Sequence, residues 1–338
     1  MKKILSIVIF CLIPLGFIFI SLFIGRYPVS ISDILKIFAI VFDFGEYEVS
    51  REAMTVVTQL RLPRAIAAAF VGAGLAISGA AFQGVFRNPL VNPGLLGVSS
   101  GAGFGAALAI LLFGGYMYTY MFAFAFGILA VAMSYWTARI YKSVPTVMLI
   151  LGGTIISSMF SALLTMLKYM ADVNSELPAI VYWLMGSVAS VAYRDFWALI
   201  PIVAGMAVLL LFGWKINVIS MGDKEARTMG INVKGSKLLI IVAATLSTAG
   251  AVCLSGIVGW VGLVIPHIGR MIVGNDNQRL LPLSVSIGAA FMVMIDTISR
   301  SMTASEIPLG VLTALIGAPF FIFLLKKTKG GGWQDAVK

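Results

Sequence analysis

Few residues in this chain could do chemistry, and their spacing excludes more reactions than it permits. There is one histidine, His267, in Gly262-Leu-Val-Ile-Pro-His267-Ile-Gly-Arg270. Neither an HExxH pair nor a histidine-based metal cluster can be assembled around a single ring, and His267 reads as a packing or capping group. No GxSxG nucleophile turn occurs. The stretch Gly230-Ile-Asn-Val-Lys-Gly235-Ser236-Lys237 begins like a phosphate loop, but a serine stands where the lysine must directly follow the second glycine. Cys11 and Cys253 lie in apolar runs without CxxC spacing and read as small hydrophobes.

Two polar constellations remain. The longest basic connection, 214–237, contains Met221-Gly222-Asp223-Lys224-Glu225-Ala226-Arg227-Thr228-Met229-Gly230. It is predicted to form a short amphipathic helix capped by Asp223 and ended by Gly230, a form suited to touching a partner; headgroup contact and charge retention are the plainer alternative. In the run Gly152–Thr165, the residues Thr154, Ser157 or Ser158, Ser161 and Thr165 recur at three- or four-residue steps and fall on one face of a helix. Such a stripe can line a hydrated pathway, or its hydroxyls can bond the carbonyls four residues back.

The elements that must carry these residues follow from composition. Of 338 residues, 60% are hydrophobic and 11% charged, less than half the roughly 25% charged fraction of soluble chains. Too few polar groups exist to cover a water-facing surface, so the chain is predicted to be an all-α, polytopic membrane protein with no room for a separate soluble domain. Ten apolar runs are candidate spans: 4–24, 62–83, 93–113, 117–138, 146–167, 192–213, 238–255, 257–273, 281–300 and 307–325. The first begins like a signal peptide, but no A-x-A site follows and Phe10 is too bulky before Cys11 for a lipoprotein site, so it is expected to be retained. Gly97 with Gly101, and Gly101 with Gly105, are spaced for close helix approach in lipid.

The net charge of +10 reads as sidedness and not as a nucleic-acid footprint. With an even span count and the N-terminus inside, 16 basic and 4 acidic residues fall on the cytoplasmic side, a balance of +12. The other side carries 8 against 10, or −2, and the positive-inside rule then places both termini in the cytoplasm. Carboxylates inside spans are nearly absent, which disfavours coupling to a proton or sodium gradient; an ion-gradient-driven secondary transporter stands as the alternative. The glycine-rich end 328–338 is expected to be disordered, and 1–338 to form a single transmembrane domain.

Glu225-Ala226, with Gly230 four residues beyond, matches the EA…G cytoplasmic signature of ABC importer permeases. Four further blocks resemble the iron-chelate and cobalamin (FecCD-type) branch: Leu60-Arg61-Leu62-Pro63-Arg64; Ser78 to Gly97, with Gln83-Gly-Val-Phe-Arg87-Asn88-Pro89 and Pro93-Gly94; Gly259 to Arg270; and Glu306-Ile-Pro308-Leu-Gly310 to Pro319. The resemblance runs from about residue 55 to 326. It implies ten helices in each of two identical subunits around a central pathway, in a bacterial or archaeal plasma (inner) membrane. It also implies two cytoplasmic ATPase subunits that hold ATP-Mg, and a periplasmic or extracellular substrate-binding protein; no cofactor, metal or catalytic group is expected on this chain. By motif position, Gly222, Asp223, Glu225, Ala226, Arg227 and Gly230 would meet the ATPase. Arg61, Arg64 and Arg300 would dock the binding protein, unless Asp296, four residues before Arg300, merely neutralises it. The helix carrying Thr154, Ser157, Ser158, Ser161 and Thr165 borders the pathway in such permeases, and Ser143, Val144, Pro145 and Thr146 at its cytoplasmic mouth are candidates for the inner gate. Substrates of the group are iron-siderophores, haem, cobalamin, and molybdate or tungstate. The whole chain is somewhat more similar to the oxyanion branch, with no single residue deciding.

Overall fold

The computed structural model describes residues 2–45, 47–139, 146–303 and 305–327. The helices are α1 (Lys2–Phe23), α2 (Ile31–Val41), α3 (Arg51–Thr55), α4 (Leu62–Phe86), α5 (Val98–Phe113), α6 (Tyr116–Ala138), α7 (Thr146–Met170), α8 (Glu176–Met185), α9 (Leu199–Leu211), α10 (Gly213–Met221), α11 (Asp223–Thr228), α12 (Val233–Ser255), α13 (Val261–Val273), α14 (Asn277–Met302) and α15 (Leu309–Lys327). No strand occurs among the described residues. Each of the ten expected spans contains an α-helix, though α13 starts at Val261 and not at 257; among the described residues six helices are long and apolar enough to cross a membrane by length and composition. The predicted domain end, 328–338, and the gate candidates Ser143, Val144 and Pro145 lie outside the described residues; Thr146 is the first residue of α7.

α3 runs into α4 through a π-helical stretch, Val56–Arg61. The cause lies just beyond, at Pro63, which has no N–H and whose ring clashes with the carbonyl four residues back. The wider turn, with the Leu62 amide bonding to Val57 O, absorbs both problems without ending the helix. The resulting apolar stretch within 51–86 is 89% buried inside the chain, against 28% for that within 147–170, so α4 is the central pillar and α7 a peripheral helix.

α4 holds its neighbours by backbone approach. α14 runs antiparallel to it, with Gly72 and Gly288 so close that a Cβ on either would overlap the other's carbonyl oxygen. Gly79 meets the Gly262 carbonyl of α13 in the same way. Of the predicted glycine pairs, Gly101 and Gly105 behave as expected, lying on the Phe126 and Phe122 carbonyls of α6. Gly97 does not: at φ +90° it stands outside the helix, and its left-handed conformation starts α5.

That turn also corrects the predicted span 93–113. Pro93–Leu96 is a separate 3-10 turn, and Gln83 Nε2 donates to both Val91 O and Gly262 O at 3.2 Å, tying this non-helical chain to α4 and α13. A second break, Gly256 to Trp260, precedes α13, and the chain packed beside it is bonded across elements: Ser187 N donates to Ser255 O at the end of α12 at 2.8 Å, and Leu309 N to Gly186 O at 2.9 Å. Irregular backbone buried in protein satisfies its polar groups there, as lipid cannot.

The substitution Gly79→Val should therefore lower stability in mixed micelles by about 1–3 kcal/mol, the usual cost of overpacking. Gly16→Ala, where a new Cβ meets nothing within 4 Å, should leave the unfolding midpoint unchanged or slightly raised.

Candidate functional site

The segment 214–237 folds into three pieces. α10 ends at Gly222, whose φ of +143° turns the chain in a single residue, and α11 starts at once with Ala226 N bonding to Gly222 O at 2.9 Å. Asp223 and Glu225 in the first turn and Arg227 in the last complement the helix dipole. Gly230, at φ +77°, ends α11 as predicted: its amide bonds Arg227 O, and the Ile231 amide reaches Ala226 O, a left-handed C-terminal closure.

The predicted cap is corrected. Gly222 and not Asp223 flanks α11, and the Asp223 carboxylate instead accepts two bonds from Lys237 Nζ of α12, at 2.7 and 2.8 Å. In the sequence Lys237 stands only beside a false phosphate loop, and nothing local marks Asp223 as its partner. The Gly235 amide of that same mimic is taken by Asn232 Oδ1 at 3.0 Å, which caps α12.

Ala226 is 0% exposed and packs with Val218, Ile231 and Val233. One apolar contact thus seats α11, and its remaining faces present Lys224, Glu225, Arg227, Thr228, Met229 and Gly230 to solvent. α11 is thus a short, seated helix that presents mixed charge and an exposed methionine.

On α7, Thr154, Ser158, Ser161 and Thr165 are exposed on one face, together with Leu151, Ile155, Met159 and Met166, while Ser157 is half-buried toward Gly97. Of the pair left open by spacing, Ser158 lies on the stripe. The hydroxyls of Thr154, Ser158 and Thr165 donate to Ile150, Thr154 and Ser161 carbonyls at 2.9–3.0 Å, so these three present only their oxygen lone pairs outward. Beyond α7, Asp172 accepts from the Ser175 hydroxyl and from the Asn174 and Ser175 amides, which holds its carboxyl below the usual carboxylate range and fixes the turn into α8.

At the far end of α4 the three candidate docking arginines are buried: Arg61 is 4% exposed, Arg64 and Arg300 8% each. Arg61 donates to Leu22 O and Tyr27 O, both at 2.6 Å. Arg64 grips Glu306 with two bonds of 2.7 and 2.8 Å and Asp296 with one of 2.7 Å. Arg300 donates to Ser21 O and lies 3.8 Å from the other Asp296 oxygen. Local pairing by Asp296 is therefore present, and Glu306, which no local pattern singled out, completes a cluster joining α1, α4, α14 and the lead into α15. His267 packs edge-on against Phe321 of α15, and Arg270 one turn on donates to Gln83 Oε1. Among the described residues no group of three or more His, Cys, Asp or Glu could hold a metal ion.

Removing one member of a buried ion cluster strands its partner. Arg64→Met should cost about 3–5 kcal/mol, and the double change Arg64→Met, Glu306→Gln, which leaves Asp296 with Arg300, should recover most of it, as read from thermal unfolding of the purified chain. Equal midpoints for the single variant and the parent would remove the cluster from the account.

A family model described as the FecCD transport family matches residues 11–327. The chain is 42% identical over 321 residues to the molybdate import system permease protein MolB of Haemophilus influenzae, covering 94% of each. It is 41% identical over 283 residues to the cobalamin import system permease protein BtuC of Halobacterium salinarum, covering 83% of this chain and 76% of that one. A solved structure described as a metal-chelate type ABC transporter in an inward-facing conformation superposes with a TM-score of 0.85 at 39% identity, over 97% of this chain and 100% of that one.

Proposed function

The chain belongs to the FecCD transport family of ABC importer permeases, and from that membership we propose that it is the membrane-spanning subunit of a binding-protein-dependent importer acting as a homodimer. The observation that carries this reading is α11: Ala226 buried as an anchor, with Glu225, Arg227, Met229 and Gly230 on the open side. Gly222, Asp223, Glu225, Ala226, Arg227 and Gly230 form the contact for one of two cytoplasmic ATPase subunits, which hold ATP-Mg and do the hydrolysis; this chain is not itself an enzyme and binds no nucleic acid. ATP-driven closure of the ATPases pushes α11 and tilts the helices, so that access alternates between the faces of the membrane.

In this reading residues 1–338 are one domain that crosses the bacterial or archaeal inner membrane ten times with both termini cytoplasmic. The exposed face of α7, with Thr154, Ser158, Ser161 and Thr165, and Ser157 at its edge, borders the pathway between the two copies, and Ser143, Val144, Pro145 and Thr146 form its inner gate. Arg61, Arg64 and Arg300 lie at the end that receives the external binding protein. Because their guanidiniums bond within the chain, their contribution to docking is to hold that surface in shape as well as to supply field.

For the substrate, the relative matching over 94% of both chains carries molybdate in its name, which supports a molybdate or tungstate oxyanion ahead of iron chelates, haem or cobalamin. The scarcity of carboxylates inside spans argues against the ion-gradient alternative.

Gly230→Trp strains a left-handed position and obstructs the α11 surface, and Glu225→Lys inverts its charge. Both should abolish uptake, by at least tenfold, while membrane insertion persists and the wild-type chain co-purifies an ATPase subunit. Normal uptake by both variants would overturn the assignment.

A further inference from the structure

α11 is too short to move ten spans by itself, and the structure shows where a push on it goes. Asn217 of α10 lies five residues before the Gly222 turn and bonds the start of α14 with both ends of its amide. Its Nδ2 donates to Asp276 Oδ1 at 2.7 Å, and its Oδ1 accepts from the Asn277 amide at 2.7 Å and from Asn277 Nδ2 at 2.8 Å. Asp276 is also the N-cap of α14, accepting from Gln278 N at 3.0 Å, so the bond from Asn217 is made to the residue that starts the helix.

The joint has no slack. A Cβ on Gly84, at the end of α4, would stand 2.6 Å from Ile216 Cγ2 and 3.4 Å from Asn277 Oδ1. One on Gly213 would stand 3.3 Å from the Asn277 carbonyl oxygen. α10 is thus wedged between the end of α4 and the start of α14, and Gly222 alone separates it from α11. α14 itself has 26 residues, about 39 Å at 1.5 Å per residue, and its other end carries Asp296 and Arg300 in the cluster with Arg64. Packing around Ile216 would let α10 rotate; three bonds of different direction from one amide do not.

We propose that Asn217 is a positioning residue for transport: it fastens the α10–α11 unit to the first turn of α14, so that displacement of α11 is delivered along α14 to the ion cluster at the opposite end. This rests on α11 being the ATPase contact. Three side-chain changes separate the bonding from mere packing. Asn217→Asp sets two carboxylates face to face and breaks the joint. Asp276→Asn is tolerated, because an amide at 276 can turn its oxygen to Asn217 Nδ2 and still cap α14. The double variant Asn217→Asp, Asp276→Asn restores the bond between 217 and 276 with donor and acceptor exchanged, giving up only the Gln278 cap bond.

The experiment uses the chain in complex with its ATPase subunits in proteoliposomes, with a spin label on a cysteine replacing the exposed Met302 at the end of α14. The distance between labels on the two copies is compared without nucleotide and after trapping with ATP and vanadate. The wild-type and Asp276→Asn complexes should shift on trapping, Asn217→Asp should show no shift while hydrolysing ATP within threefold of wild type, and the double variant should shift again. Should Asn217→Asp fail to fold, Asn217→Leu takes its place, with Asp276→Asn giving it no rescue. A shift in Asn217→Asp equal to wild type, a double variant that folds but stays still, or a wild-type label that does not move at all would each overturn the proposal. Failure of the wild-type chain to retain any ATPase is seen before labels are compared, and overturns the proposed function instead.

Discussion

The approach of Gly79 to the Gly262 carbonyl, and of Gly72 to Gly288, sets the geometry on which the rest of this molecule depends. In lipid there is no hydrophobic force between helices, and association rests on close contact between backbones. α4 provides that contact on every side: to α14 and α13 through these glycines, to α12 through Ser78, whose hydroxyl donates to Ala244 O at 3.2 Å, and to α10 through Gly84. Moving α4 by the width of one methyl group would disturb four neighbours at once. The broken segment 87–97 is held because this pillar places Gln83 where it bonds both Val91 O and the Gly262 carbonyl of α13.

Polar contacts then divide the bundle into two ends. At one, Arg64, Asp296, Glu306 and Arg300 share charge in a poorly hydrated setting, where each ion needs its partner. At the other, Asn217, Asp276 and Asn277, with Lys237 and Asp223 nearby, join the connecting helices to the long ones. α14 belongs to both. A helix whose two ends are each bonded to different elements conveys displacement better than one held by side-chain packing along its length, and this gives the α11 surface mechanical consequence.

The sequence made the helical spans legible because apolar runs of this length have one solution in lipid. It was less informative where short helices carry charge or proline: α2, with Asp33 and Lys36, and α8, with Pro178 after Glu176, fell between the predicted spans. The break at 93–97 hid inside an apolar run, although Pro93 and Gly97 were present to signal it. The end of α11 at Gly230 was readable from a local rule, but the fate of Asp223 was not, since Lys237 reaches it from another helix. The arginine cluster is the extreme case, with Arg64 and Glu306 separated by 242 positions; motif position located Arg61, Arg64 and Arg300 yet gave no sign that all three would be buried and occupied. Periodicity found the α7 stripe and left Ser157 and Ser158 undecided, and burial separates them.

The central claim is that this chain is driven by ATPases bound at α11 and not by an ion gradient. The direct measurement is uptake of labelled molybdate into proteoliposomes holding the chain and its ATPase subunits, with binding protein outside, ATP inside, and an ionophore to collapse every gradient. The account predicts uptake that requires both ATP and binding protein and is indifferent to the ionophore. Uptake by the chain without ATPase subunits, abolished by the ionophore, would contradict it.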